Sequence, residues 1–66
     1  MQLTINGKQT EVPDKINLSQ LIEHLSLGEQ RIAIEVNEQL APRSRFAATL
    51  LQNSDRVEIV HAIGGG

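Results

Sequence analysis

The helix around which this 66-residue chain is organised is predicted by the segment Asn17-Leu18-Ser19-Gln20-Leu21-Ile22-Glu23-His24-Leu25. Asn17 is a favourable N-cap residue, and Gln20, three residues later, completes the capping-box pattern. The apolar positions recur at helical spacing and form one stripe: Leu18, Leu21, Ile22 and Leu25. Gly28 is expected to end the helix as the left-handed C′ residue. The segment therefore predicts one amphipathic helix with an apolar face to bury.

A β-hairpin is predicted before the helix. The residues from Met1 to Asn6 alternate between apolar and polar, which is typical of a half-buried strand. Asn6 and Gly7 both tolerate positive φ and suit a type I′ turn. Lys8 to Val12 is therefore expected to return as an edge strand, and Pro13 ends it because proline has no N–H to donate.

The segment after the helix predicts three further strands and one irregular region. Ile32 to Asn37 alternates and is rich in β-branched residues, which favours a central strand. Asn37-Glu38-Gln39 predicts a turn, and Leu40-Ala41 predicts a very short strand before Pro42. Arg56 to Ala62 predicts the last strand. Phe46 is expected to enter the core from an irregular or single-turn helical segment.

These elements together predict an α+β fold, with one helix packed across one face of a mixed sheet of four to five strands. The helix supplies the right-handed crossover that lets the first and last strands lie side by side in parallel. The arrangement resembles the β-grasp fold of ubiquitin, and we expect one domain over residues 1–63. Its core is expected to contain Leu3, Ile5, Val12, Leu18, Leu21, Ile22, Leu25, Ile32, Ile34, Val36, Phe46, Val57 and Ile59.

The composition argues against several classes of function. The chain has a formal net charge of −2, no Cys, Trp or Tyr, and one Phe. Nucleic-acid binding needs a basic face or stacking aromatic side chains, and two histidines are too few for a zinc site unless carboxylates join them. No apolar run approaches the length of a membrane span, and no signal-peptide pattern begins the chain. We expect a cytoplasmic protein that is a monomer when free and binds no metal, nucleic acid or membrane.

No pattern of catalytic residues is present, so the chain is not expected to be an enzyme. Ser-His-Asp, Cys-His and paired-carboxylate arrangements are all missing from the sequence. His24 is interpreted as a surface histidine on the polar side of the helix. His61 is close to the C-terminus, but a half-exposed histidine at a strand end is favoured over a general base, because a titratable group near a site is weak evidence by itself.

The C-terminal residues Gly64, Gly65 and Gly66 are expected to form a flexible tail. Without side chains they make a slim thread that ends in an uncrowded carboxylate, the shape needed to enter a narrow channel in another protein. The alternative is a frayed end, since chain termini are commonly disordered. A free α-carboxylate is ionised at neutral pH and is a poor electrophile, so it must be activated before a nucleophile can attack it.

Two groups of residues are candidates for docking a partner. Val60 and Ala62 are expected on the sheet face opposite the helix, where with Ala33 they form a small exposed apolar patch. Such patches on small domains often mark partner surfaces, although single exposed apolar residues are ordinary. Arg43 and Arg45 fit a docking pair and solvated loop charges equally well.

The pattern as a whole resembles the ThiS family, the sulfur carrier proteins of thiamine biosynthesis. The resemblance is carried by Asn6-Gly7-Lys8, by Ile32 to Asn37 with Pro42-Arg43 after it, and by Asp55 to Val60 leading into Ile63-Gly64-Gly65-Gly66. It covers essentially the whole chain. The terminal diglycine alone is shared by all ubiquitin-like carriers, and the middle segment combined with the short length is more specific.

The resemblance implies a carrier whose chemistry occurs at Gly66, with Gly64 and Gly65 threading into the active sites of partners. A ThiF-type enzyme would adenylate the terminal carboxylate with ATP and Mg²⁺, and the carrier itself would bind no cofactor. Sulfur from cysteine, usually through a cysteine desulfurase, would then replace the adenylate to leave a thiocarboxylate. Thiazole synthase (ThiG) would take that sulfur into the thiazole ring of thiamine.

Three other functions are compatible with the same tail. The first is a sulfur carrier of another pathway, such as a MoaD-like subunit for molybdopterin, although longer chains are expected there. The second is a ubiquitin-like protein modifier joined to lysines through Gly66. The third is an interaction domain with an inert tail.

Overall fold

The order of helices and strands in the computed structural model is the predicted one. The structure describes residues 1–28 and 31–61. The elements within these ranges are Gln2–Ile5 (β1), Lys8–Glu11 (β2), Leu18–His24 (α1), Ile32–Val36 (β3), Gln39–Ala41 (β4), Arg43–Ala48 (a 3₁₀ helix) and Arg56–His61 (β5). Phe46 is buried in the 3₁₀ helix, which confirms that it enters the core from a short helical segment.

Two short hairpin turns are built from residues with positive φ. Asn6 and Gly7 have φ of 50° and 80° between β1 and β2, as a type I′ turn requires. Asn37 and Glu38 have φ of 51° and 70° between β3 and β4. The predicted type I′ hairpin is confirmed, and a second turn with the same signs of φ joins β3 to β4.

The described strands form one five-stranded sheet with the order β2-β1-β5-β3-β4. β1 and β5 are parallel, with Thr4 opposite Arg56 and Ile5 opposite Val57. β5 is also antiparallel to β3 over its length. A mixed sheet with one α-helix on one face is the β-grasp arrangement, so the predicted fold class is confirmed.

The N-terminus of α1 is capped as the sequence predicts. The Gln20 backbone N–H donates to Asn17 Oδ1 at 2.8 Å, and the Asn17 backbone N–H donates to Gln20 Oε1 at 2.9 Å. Each side chain satisfies a backbone donor that the first helical turn leaves without an intrahelical partner.

The C-terminus of α1 differs from the prediction. The helix ends at His24 with Leu25 as C-cap, and Ser26 adopts the left-handed C′ conformation with φ of 59°. The Ser26 N–H donates to Glu23 O and the Leu27 N–H to Ile22 O, both at 3.0 Å, which is a Schellman motif. Gly28 also has positive φ, 61°, but lies two residues beyond C′, so its predicted assignment is wrong. Burial of Ile22 and partial burial of Leu27 favour the earlier termination.

The core lies between α1, the 3₁₀ helix and one face of the sheet. Nine predicted residues are buried, and they are Leu3, Val12, Leu18, Leu21, Ile22, Ile34, Phe46, Val57 and Ile59. Four others only pack against the edge of the core because they lie at or beyond the ends of their elements, and they are Ile5, Leu25, Ile32 and Val36.

Two core residues, Ile16 and Leu51, were not predicted. They lie in short segments outside the helices and strands, with exposures of 8% and 2%. The Leu51 N–H donates to Ile16 O at 2.9 Å, so the two segments close one side of the core together. Segments this short carry no periodic pattern that would reveal their burial.

No helix within residues 1–28 and 31–61 is long and apolar enough to cross a membrane.

Candidate functional site

The part of the candidate site that the structure fixes is the root of the C-terminal tail. Ala62 and the tail residues Gly64, Gly65 and Gly66 lie outside the described residues. β5 is the strand that leads to them, and it ends at His61, which is exposed and lies opposite Ile32 of β3. The structure therefore describes this site through the contacts that hold and orient β5.

β5 is held on its β1 side by a side chain after the backbone ladder ends. The last backbone bond on that side runs from the Asn6 N–H to Val57 O at 2.9 Å. Asn6 then begins the hairpin turn, but its side-chain amide continues toward β5. The Ile59 N–H donates to Asn6 Oδ1 at 2.7 Å, and Asn6 Nδ2 donates to Ile59 O at 3.2 Å. The amide thus satisfies both backbone groups of Ile59, as a further strand residue would.

A second asparagine holds the start of β5. The Arg56 N–H donates to Asn37 Oδ1 at 2.9 Å, and the Asn37 N–H donates to Arg56 O at 2.7 Å. Asn37 Nδ2 also donates to Asp55 Oδ1 at 3.0 Å. Two asparagine amides that come from hairpin turns therefore hold β5, one at its first residue and one at Ile59, two residues before its end.

The sequence predicts Asn6 and Asn37 as turn residues, because the positive φ of a turn is sufficient to explain an asparagine there. The contacts across 53 and 19 positions of sequence were missed. The signal that points to them is chemical: an asparagine amide both donates and accepts, as a backbone unit does, whereas glycine at a turn offers no side-chain group.

The sheet face opposite α1 carries an exposed apolar pair beside the tail. Val60 is 60% exposed and lies directly opposite Ala33, which is also exposed. The next residues along the two strands on this face are Glu58 and Glu35, which again lie directly opposite each other. We call these four residues the outer patch. The structure thus brings together Val60 and Ala33 of the predicted docking patch.

Arg43 is not part of the outer patch. It begins the 3₁₀ helix, which packs against α1 on the other side of the sheet. Its guanidinium carbon lies 5.8 Å from the centre of the Phe46 ring, within the range of a cation–π contact. Docking through Arg43 would therefore involve a different face from docking through Val60.

Comparison with known proteins decides the family. The model of the ThiS family matches residues 2–66. The chain belongs to the ThiS family. This confirms the resemblance drawn from the motifs.

Relatives of this ThiS-family chain include a solved structure and two curated proteins. The crystal structure of a thiamine biosynthesis protein (ThiS) from Geobacter metallireducens matches with a TM-score of 0.88 and 32% identity, covering 100% of both chains. The sulfur carrier protein ThiS of Escherichia coli is 26% identical and is also covered completely. A thiazole synthase from Paramagnetospirillum magneticum is 32% identical over 66 residues, which make up 20% of that protein.

One cleft among the described residues of this ThiS-family chain lies at the end of β5 opposite to His61. It is lined in part by Asn37, Leu40, Leu50 and Asp55, at the end of the sheet where β5 begins. β5 ends at His61, about 17 Å from its first residue at about 3.3 Å per strand residue. The described residues contain no group of three or more His, Asp and Glu side chains that could hold a metal ion. The candidate docking residue Val60 lies near the end of β5 and does not line this cleft.

Proposed function

We propose that this chain is a sulfur carrier of thiamine biosynthesis whose sulfur is bound at the carboxyl group of Gly66. A ThiF-type enzyme adenylates that carboxylate, sulfur replaces the adenylate, and thiazole synthase receives the sulfur. The observation that carries the proposal is the match of the ThiS family model to residues 2–66, which includes the glycine tail.

The chemistry of the terminus explains why activation comes first. One oxygen of the ionised Gly66 carboxylate attacks the α-phosphorus of ATP, forming an acyl adenylate and releasing pyrophosphate. A sulfur nucleophile then attacks the carbonyl carbon, and AMP leaves with its bonding electron pair. When the nucleophile is hydrosulfide, the product is a thiocarboxylate with one sulfur in place of one oxygen. When it is a persulfide of the donor, the product is an acyl disulfide, and a thiol then reduces it to the thiocarboxylate while forming a disulfide with the donor. ATP, Mg²⁺ and the catalytic groups belong to the partner, and the chain acts as a carrier rather than an enzyme.

The way β5 is held supports presentation of the tail. Backbone pairs with β3 extend to His61, and the Asn6 amide holds Ile59 from the other side. β5 is therefore held in a fixed direction up to His61, while Gly64 and Gly65 carry no Cβ that would obstruct a narrow channel. A fixed root with a slim end lets a partner bind the folded domain and receive the carboxylate in the same event.

The outer patch supports docking on the face that adjoins the tail. Val60 and Ala33 are apolar and exposed, and Ala62 continues the same alternation along the chain. A partner that covers this face would remove apolar surface from water, which is the main favourable contribution in most protein associations. We therefore propose Val60 and Ala62 as docking residues for the adenylating enzyme.

The recipient of sulfur is proposed from the relatives. In the Paramagnetospirillum protein, which is named a thiazole synthase, a region similar to this chain forms 20% of the sequence. The Magnetococcus marinus protein of the same name has the same share. A region similar to this chain thus occurs within proteins named thiazole synthase, which supports a thiazole synthase as the partner that accepts sulfur from Gly66.

Delivery of sulfur is tested by isotope transfer. The chain is loaded with isotope-labelled sulfide as the Gly66 thiocarboxylate and mixed with thiazole synthase and its other substrates. The proposal predicts that the label moves into the thiazole product and that the chain regains its carboxylate mass. Label that stays on the carrier with an active synthase would contradict delivery to this partner.

A further inference from the structure

The outer patch contains a pair of like charges at its acidic end. Glu35 of β3 and Glu58 of β5 lie directly opposite each other in the antiparallel register, and both are exposed. Directly opposite residues have Cβ atoms about 4.5–5.5 Å apart, and like charges in such positions destabilise the sheet. The chain therefore keeps an unfavourable pair next to the root of its tail.

The described part of the chain does not neutralise this pair. None of the ion pairs formed among residues 1–28 and 31–61 includes Glu35 or Glu58. Arg56, two residues before Glu58 on the same strand face, is directed to Glu38 at 3.4 Å. Arg31, before β3, has an interaction of its own. The two carboxylates thus remain acidic groups on an exposed face.

The acidic pair adjoins the apolar pair of the same face. Glu58 and Val60 are two residues apart on β5, and Glu35 and Ala33 are two residues apart on β3, so their side chains share one side of the sheet. A surface that covers Val60 and Ala33 therefore also contacts, or lies within about 7 Å of, the two carboxylates. The outer patch has an apolar half near the tail and an acidic half behind it.

We propose that the acidic half of the outer patch, Glu35 and Glu58, docks onto arginine or lysine side chains at the active-site entrance of the enzyme that adenylates Gly66. This inference rests on the proposed function. An active site that binds both a nucleoside triphosphate and a carboxylate must gather positive charge, and the field at its entrance attracts a negatively charged face. The partner surface is therefore apolar opposite Val60 and Ala33 and basic opposite the two carboxylates.

The charge arrangement has a kinetic consequence. Complementary charges at an interface mainly raise the rate of association and make it depend on salt, because screening weakens attraction beyond about 8–10 Å at 0.1–0.15 M salt. Glu35 and Glu58 thus speed the encounter and orient the carrier so that the tail faces the channel.

The test uses the double variant Glu35→Gln/Glu58→Gln in the full chain, with the association rate constant to a purified ThiF-type enzyme measured by stopped-flow fluorescence. We expect the rate constant to fall by about tenfold at low ionic strength, and the difference from the parent to shrink as salt is added. Glu11→Gln/Glu23→Gln is the matched control, because it removes two negative charges from exposed side chains that lie outside the outer patch. The control is expected to keep the parental rate constant.

Each outcome separates this inference from the proposed function. If the double variant has the parental association rate constant and the parental salt dependence, docking through Glu35 and Glu58 is overturned. If the parent chain is still thiocarboxylated in the same experiment, the carrier function is unaffected by that result. If the double variant associates normally with the adenylating enzyme but delivers sulfur to thiazole synthase more slowly, the two carboxylates are assigned to docking with thiazole synthase instead. A parent chain that a competent ThiF-type enzyme does not modify would overturn both.

Discussion

At the scale of the residue, Asn6 combines two functions that usually need two residues. Its backbone adopts φ of 50° to form the hairpin turn, and its amide replaces the missing ladder partner of Ile59. Buried backbone groups without a partner are costly, and Ile59 is only 7% exposed. Asparagine is suited to this position because it tolerates the left-handed region and both donates and accepts.

The substitution Asn6→Gly isolates the contribution of the amide. Glycine keeps the positive φ but removes both bonds to Ile59, so we expect a loss of about 1–2 kcal/mol in the free energy of unfolding. Urea denaturation measures that loss. Amide hydrogen exchange should accelerate more at Ile59 than at Glu58, whose N–H faces β3. If the variant and the parent have the same free energy of unfolding and the same exchange rate at Ile59, the amide does not hold β5.

The substitution Val60→Asp tests the apolar half of the outer patch. Val60 is 60% exposed, so we expect the stability to change by less than about 0.5 kcal/mol. We expect the rate of thiocarboxylation to fall about tenfold, because a charge is buried against an apolar partner surface.

Leu50→Asp is the matched control for this variant, because Leu50 is 61% exposed and lies in the cleft at the other end of β5. It should retain the parental rate of thiocarboxylation. Equal rates for Val60→Asp and the parent would remove Val60 from the docking surface.

At the scale of the element, α1 was predicted well at its start and less well at its end. The N-cap signal is a pair of side chains, Asn17 and Gln20, whose hydrogen bonds depend only on local spacing. The C-terminal end depends on where the chain must turn for Leu27 to pack against the core, and that is set by tertiary packing. Ser26 therefore takes a conformation that the sequence would assign to glycine.

The substitution Ser26→Gly is expected to stabilise the domain. Ser26 has φ of 59° at the C′ position, where glycine relieves the steric cost of a Cβ, and we expect a gain of roughly 0.5–1 kcal/mol. Chemical denaturation measures this gain. Glu23→Gly, in the last turn of α1, is the comparison and should destabilise by about 1 kcal/mol. A loss of stability in Ser26→Gly would contradict the Schellman assignment.

At the scale of the whole molecule, the sequence predicted the topology and most of the core residues, but not the two residues that cover one side of the core. Alternating strands, the amphipathic helix and two turns were sufficient to predict a mixed sheet with β1 and β5 in parallel. Ile16 and Leu51 escaped prediction because they close the core from short extended segments. The Asn6 and Asn37 contacts escaped for a related reason, since each joins a turn to a distant strand.

The small size of the domain makes its core sensitive to truncation. Leu21 and Ile34 have no exposed surface, and each lies on a different layer of the helix–sheet core. Leu21→Ala or Ile34→Ala is expected to lower the free energy of unfolding by about 2–5 kcal/mol, which can unfold a domain of this size. Thermal denaturation followed by circular dichroism measures the loss. A change below about 1 kcal/mol would contradict the assigned core.

The most direct measurement for the carrier function is the intact mass of the chain after incubation with ATP, Mg²⁺, a ThiF-type enzyme and a cysteine-derived sulfur source. The proposed function predicts a gain equal to the replacement of one oxygen by one sulfur, and no gain when Gly66 is deleted. An unchanged mass, with an enzyme shown to modify another carrier, would contradict the proposal and leave a folded domain with an inert tail or a protein modifier.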